Sequence, residues 1–185
     1  NSFCTLLGMP PKAARVPVGK STGHARTNKA HKSFREVYDD TCRDKGVHPN
    51  SSFQRSLPDK KDIAFPGDVL DLTNNYVGDA GIVPVAAVLE RCHNVKQVIV
   101  AKNGLRNKGI KSLCLALAKH PGVTSVDVSE NYISHGAAAA LESLLLENPR
   151  IVQIEFSDTK LDVAERLRLK ELAANNAANR VTVSS

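Results

Sequence analysis

Residues 16–24, VPVGKSTGH, contain Gly19-Lys20-Ser21-Thr22, the last four positions of a phosphate-binding loop. Such a loop works because its backbone curls until successive N–H groups face the phosphates, and that curl needs a glycine five residues before Gly19. Ala14 stands there. The loop must also follow a buried strand and lead into a helix whose N-terminus faces the anion. Here Met9-Pro10-Pro11-Lys12-Ala13 precede it and Gly23 follows. The match is one of composition, and the segment reads better as part of a basic anchor.

The other residue types that carry chemistry are scattered. Cys4, Cys42, Cys92 and Cys114 lack metal-ligand spacing and are too few for a disulfide framework, which predicts buried free thiols in a reducing compartment. His24, His31, His48, His93, His120 and His135 never pair at a metal-binding helical spacing. His93 and His120 fall where successive helices close, and an imidazole there meets the negative end of a helix dipole, a structural reason to exist. No Ser, His and acid grouping can be placed on one surface. The sequence predicts no enzyme, no cofactor and no metal.

Composition sets the frame for whatever positions these residues. The chain of 185 residues is 42% hydrophobic and 24% charged, ordinary for one soluble domain with a core. No apolar run approaches the roughly 20 residues that cross a bilayer, and "CTLLGM" is too short for a signal peptide, so an intracellular protein without a membrane span is expected. The net charge of +6 is unevenly placed. Residues 1–32 carry Lys12, Arg15, Lys20, Arg26, Lys29 and Lys32 and no acid, leaving 19 basic and 19 acidic residues in a neutral body. This tail is rich in small and polar residues and is expected to have no fold of its own. Such a segment orders on another surface, which predicts membership of a large assembly.

The body carries an internal period of 28 residues over residues 67–178. Asn75, Asn103 and Asn131 recur at that spacing, as do Leu70, Val98, Val126 and Ile154, then Leu72, Val100, Val128 and Phe156, then Val77, Leu105, Ile133 and Leu161. Each copy opens on a short alternating stretch suited to a strand that buries every second side chain. Each closes on a helical stripe: Val85, Leu113, Leu141 and Leu169 align, with Val88 and Leu89 and their equivalents completing an i, i+3, i+4 face. Gly81, Gly109 and Gly136 mark where the chain enters the helices, a turn that a small residue permits cheaply.

"LDLTNNYVGDAG" and "VDVSENYISHGA" resemble the leucine-rich repeat of the ribonuclease-inhibitor-like subfamily. That resemblance implies an α/β leucine-rich-repeat solenoid with a parallel concave sheet, convex helices and an asparagine ladder bonding neighbouring turns. Thr159 takes the fourth asparagine position and weakens the ladder there. Val181 and Val183 read as the first strand of an unfinished fifth turn, leaving an edge that a partner covers. Three regions follow: a basic extended tail at 1–32, a helical cap at 33–66 and the repeats at 67–185. In the cap, Phe34, Val37, Tyr38 and Cys42 form the inward side of a helix stopped by Gly46, and a shorter helix runs from near Asn50 to before Pro58. "YDDTCRDKGVHPNSSFQRSLP" also resembles leucine-rich-repeat proteins of cilia and flagella, of the kind associated with the nexin-dynein regulatory complex.

The expected partner surface is the outward side of the strands. Val69, Gln97, Ser125 and Gln153 form one row, Asp71, Ile99, Asp127 and Glu155 an acidic second row, and Thr73, Ala101, Ser129 and Ser157 a third, with Asn74, Lys102, Glu130 and Asp158 at the rim. This reads as a groove for a basic helix or tail of a partner, or for the chain's own N-terminus, set against an ordinary solvated face. Tyr76 and Tyr132 share one repeat position and either form an exposed contact ridge or shield the strand turns. The function expected is a non-enzymatic scaffold or adaptor of an axonemal, microtubule-associated assembly in the cytoplasm, with tubulin or dynein-regulatory proteins as partners and the tail laid on an acidic surface. The alternative is a subunit or assembly factor of a ribonucleoprotein particle such as a mitochondrial ribosome, in the mitochondrial matrix, with the tail neutralising phosphates. The absence of aromatic residues between Lys12 and Lys32 weighs against base stacking.

Overall fold

The computed structural model describes residues 32–61 and 63–183, with backbone alone for 181–183. Two helices come first, α1 (Phe34–Lys45) and α2 (Ser51–Ser56). Four strands then alternate with four helices: β1 (Val69–Asp71), α3 (Gly78–Leu89), β2 (Gln97–Ile99), α4 (Asn107–Leu117), β3 (Ser125–Asp127), α5 (His135–Glu147), β4 (Gln153–Glu155) and α6 (Val163–Val183). The strands form one parallel sheet in the order β1-β2-β3-β4, with Val69, Gln97, Ser125 and Gln153 in register.

The cap is built on local hydrogen bonding. Ser33 accepts from the Glu36 amide while Glu36 reaches back to the Ser33 amide, a reciprocal capping box, and Gly46 ends α1 in the left-handed region at φ 63°. Asn50 caps α2 and also donates to the Asn75 carbonyl at 2.7 Å, which ties the cap to the first strand turn. Tyr38 meets Phe53 edge to face at 5.0 Å, and its hydroxyl accepts from the Asn50 amide.

One continuous core joins cap, sheet and helices. Leu72, Val100, Val128 and Phe156 are buried, as are Val85, Leu113, Leu141 and Leu169 and the other apolar positions spaced by 28. No single strand and helix could cover these faces alone.

Buried amides hold successive turns together. The Asn103 Oδ1 accepts from the Asn75 and Val77 amides at 3.1 and 3.2 Å, and its Nδ2 donates to the Leu72 and Ala101 carbonyls. Asn131 repeats the arrangement one turn on, accepting from the Asn103 and Leu105 amides. The Thr159 hydroxyl bonds only within its own turn, to the Phe156 carbonyl at 2.7 Å. The Arg166 guanidinium covers the carbonyls of Thr159 and Leu161 and finishes the row.

A second such row runs along the helix ends. His120 lies against the Cys92 carbonyl at 3.1 Å through Nε2, while its Nδ1 accepts from the Gly122 and Val123 amides, so Nε2 carries the proton. Asn148 donates to the Leu117 and His120 carbonyls, and Asn176 to those of Leu145 and Ile151. A third row caps helices across turns. The Asp79 Oδ1 accepts from the Arg106 and Gly109 amides at 2.7 and 3.0 Å, and the Asn107 Oδ1 from the Ser134 amide.

Several expectations are corrected. Val181 and Val183 are not a fifth strand: α6 runs unbroken from Val163 to Val183, because Ala173–Arg180 contains no glycine or proline to stop it and Asn176 fixes it to the preceding turn. The leucine-rich-repeat solenoid is corrected in turn. Among the described residues the molecule is a helix-rich α/β domain of six helices and a small sheet of four three-residue strands, closed by α1 and α2 at one end and α6 at the other. Gly109 and Gly136 owe their place to close approach rather than to a turn. A Cβ on Gly109 would lie 2.4 Å from the Asp79 Oδ1, and one on Gly136 would lie 2.6 Å from the Asn107 Nδ2.

Candidate partner-binding face

Parallel register brings the proposed contact residues together. Asp71, Ile99, Asp127 and Glu155 pair in sequence across the sheet, beside Val69, Gln97, Ser125 and Gln153. Their side chains point away from the core because the alternate residues Leu70, Val98, Val126 and Ile154 point into it. No Lys or Arg stands at any of these outward strand positions. Two of the three carboxylates also have local work. Asp71 accepts from the Thr73 amide and hydroxyl at 2.8 and 2.7 Å, and Asp127 bonds the Ser129 amide at 2.9 Å and the Ser129 hydroxyl more closely still. Each keeps its second oxygen for other contacts.

The third row is smaller than expected. Thr73 and Ser157 are exposed, but Ala101 and Ser129 are only 7% exposed, because the chain bends inward there toward the buried asparagines. At the rim, Asn74, Lys102, Glu130 and Asp158 all adopt the left-handed backbone at φ 52–55°. Tyr76 and Tyr132 are 85% and 66% exposed, so their rings do not shield the turns.

Of the tail's proposed anchoring residues, Lys12, Arg15, Lys20, Arg26 and Lys29 lie outside the described residues, as do the phosphate-loop-like segment, Cys4, His24 and His31. Lys32 is engaged locally. It pairs with Asp40 at 2.6 Å, which raises its own pKa, and Lys32 followed by Arg43 holds the Asp40 carboxyl below the usual carboxylate range.

Several of the remaining reactive side chains have structural roles. Cys42, Cys92 and Cys114 are buried, and burial pushes the Cys92 and Cys114 thiols up to about 12. Burial also lowers the His120 pKa against the opposing effect of its carbonyl partner. Glu165 caps α6 together with Asp162 and lies against the exposed His135 ring. Among the described residues no group of three His, Cys, Asp or Glu side chains could hold a metal ion. The helix-end row of His120, Asn148 and Asn176 was hidden in the sequence because its members differ in type, although they keep the 28-residue spacing.

No family model matches the chain. The FERM domain-containing protein C of Dictyostelium discoideum is 24% identical over 108 residues, 58% of this chain and 7% of that protein. The chain therefore spans a small fraction of the curated relative it matches. Among solved structures, leiomodin-1 actin-binding site 2 is similar with a TM-score of 0.54 at 14% identity, over 63% of this chain and 84% of that one. At that identity the likeness is one of fold. It completes the correction of fold class, since the structure matched is a small actin-binding domain rather than a solenoid. Among the described residues no helix is long and apolar enough to cross a membrane.

Proposed function

We propose that this chain is a non-enzymatic scaffold or adaptor that docks a basic segment of another protein on the outward face of its sheet, within a cytoskeletal assembly. The observation that carries the reading is the row Asp71, Ile99, Asp127 and Glu155, held in register with no cation among the outward strand positions. Charge of one sign on a rigid surface attracts and orients an oppositely charged partner. An acidic face is also a poor surface for RNA, whose phosphates it repels. The similarity to a FERM domain-containing protein and to an actin-binding site supports a cytoskeletal setting. An axonemal, microtubule-associated role is the more specific form of the proposal, with Lys12, Arg15, Lys20, Arg26 and Lys29 laid on an acidic filament surface.

Site-specific photocrosslinking from Gln97, in the middle of the face, tests this reading in cells. Crosslinks to a cytoskeletal protein that vanish when Asp127 and Glu155 are reversed to lysine support it. Crosslinks that survive the reversal, or that run to ribosomal proteins and disappear with RNase, contradict it.

A further inference from the structure

Tyr76 and Tyr132 occupy equivalent places on the first and third strand turns, and Gly104 occupies that place on the turn between them. The turns stack at hydrogen-bond distance, since Tyr132 donates to the Leu105 carbonyl at 2.9 Å and Gly78 to the Asn103 carbonyl at 2.9 Å. Two parallel strand spacings therefore separate the tyrosines, about 10 Å. Space above Gly104 is open: a Cβ there would meet nothing within 4 Å. Two rings that far apart flank a gap in which one further ring would lie about 5 Å from each, within the range of ring–ring contacts.

Tyr76 stands where its own fold gains little from it. Its ring is 85% exposed, and its backbone sits at φ 53°, a conformation that Gly104 adopts at φ 68° without steric cost but a bulky residue does not. A side chain that strains the backbone without packing inside the domain points to use outside it.

Charge decides what the gap would take. Lys102 and Arg106 on the middle turn are offset by Asp79 and Glu130 on the turns beside it, so the gap offers a cation no net attraction and suits a neutral ring. Proline is such a ring, and an extended segment that contains it enters an aromatic-lined groove with little entropy left to lose. Beyond the rim the same segment would cross the acidic row, where basic side chains are complementary.

We propose that Tyr76, Gly104 and Tyr132 form an aromatic slot for a proline of an extended partner segment, whose flanking basic side chains lie against Asp71, Asp127 and Glu155. The inference rests on the sheet face being the docking surface and adds the chemistry of its occupant.

The chain has three tyrosines and no tryptophan, so the ring resonances of the tyrosine-labelled full chain report the slot directly, with Tyr38 as buried reference. The probe is a synthetic peptide of repeated Pro-Pro-Arg, with repeated Ala-Ala-Arg and Pro-Pro-Glu peptides alongside. The Pro-Pro-Arg peptide is expected to shift the Tyr76 and Tyr132 rings and leave Tyr38 unmoved. Tyr76→Gly and Tyr132→Ala are each expected to weaken it about tenfold, the loss of one aromatic contact. Tyr76→Gly keeps the test sound, because glycine already serves at the equivalent Gly104. Equal binding of the Ala-Ala-Arg peptide with unmoved rings overturns the slot and leaves the acidic face standing. Equal binding of the Pro-Pro-Glu peptide, or no binding of any peptide, overturns the proposal. The Gln97 crosslinks read the wider docking face separately.

Discussion

Truncating Asn131 to alanine should be the most damaging single change among the strand-turn asparagines. Its Oδ1 accepts from the Asn103 and Leu105 amides at 3.1 and 3.0 Å, and its Nδ2 lies 2.9–3.0 Å from the carbonyls of Val100, Val128 and Ser129. Asn131, Asn103 and Leu105 are all buried, so water cannot readily take over. Each orphaned buried donor costs about 1–3 kcal/mol, and the two together predict a loss of about 2–6 kcal/mol. Asn103→Ala should cost less, because the Asn75 amide also bonds the Leu72 carbonyl at 3.2 Å. Asn75 is half-buried with no strand turn before it, and Asn75→Ala should stay within about 1 kcal/mol of wild type. Urea unfolding at neutral pH measures the series through the transition midpoint at unchanged slope. A cost for Asn131→Ala below about 1 kcal/mol, or equal losses at all three positions, would refute the account of how the turns are joined.

His120 makes stability depend on pH. Burial lowers its folded pKa below the unfolded value, so the unfolded chain binds the proton more readily. Stability should therefore fall as pH drops below about 6.5, and His120→Asn, copying Asn148 one turn on, should remove that part of the dependence in urea titrations. Gly109→Ala should cost about 1–2 kcal/mol by pushing the Asp79 Oδ1 off the amides it caps; a double variant with Asp79→Ala should cost less than the sum, and strict additivity would contradict the shared cap. Tyr76→Gly should leave the melting temperature unchanged or raise it, since it relieves a left-handed tyrosine worth about 1 kcal/mol; a clear fall would show that the ring supports the fold.

The apolar pattern was readable because burial imposes one residue class at each spaced position: Leu72, Val100, Val128 and Phe156 differ in shape, but all serve the core. Asn103 and Asn131 were readable for a related reason, as one amide side chain can serve two turns at once. The polar row of His120, Asn148 and Asn176 escaped notice because imidazole and amide meet the same carbonyl positions through different chemistry. The C-terminal strand was misread because alternating Val181 and Val183 suit either state locally, and the bonds of Asn176 to Leu145 and Ile151, which anchor the helix, are tertiary. The solenoid implied by the resemblance took no account of how soon the helices close a domain of three-residue strands. Alternation also placed Ala101 and Ser129 outward, whereas the descent toward the asparagines buries them. The face itself was legible residue by residue, but the strain at Tyr76 needed the backbone angle.

Reversal of Asp127 and Glu155 to lysine, read by Gln97 crosslinking together with urea unfolding, tests the docking face most directly. Both side chains lie on the outward side of the sheet. The account predicts that the crosslinked partner is lost while the unfolding midpoint falls no further than in Asp127→Ala, which loses the same bonds to Ser129. Retained crosslinks on an equally stable variant would contradict it.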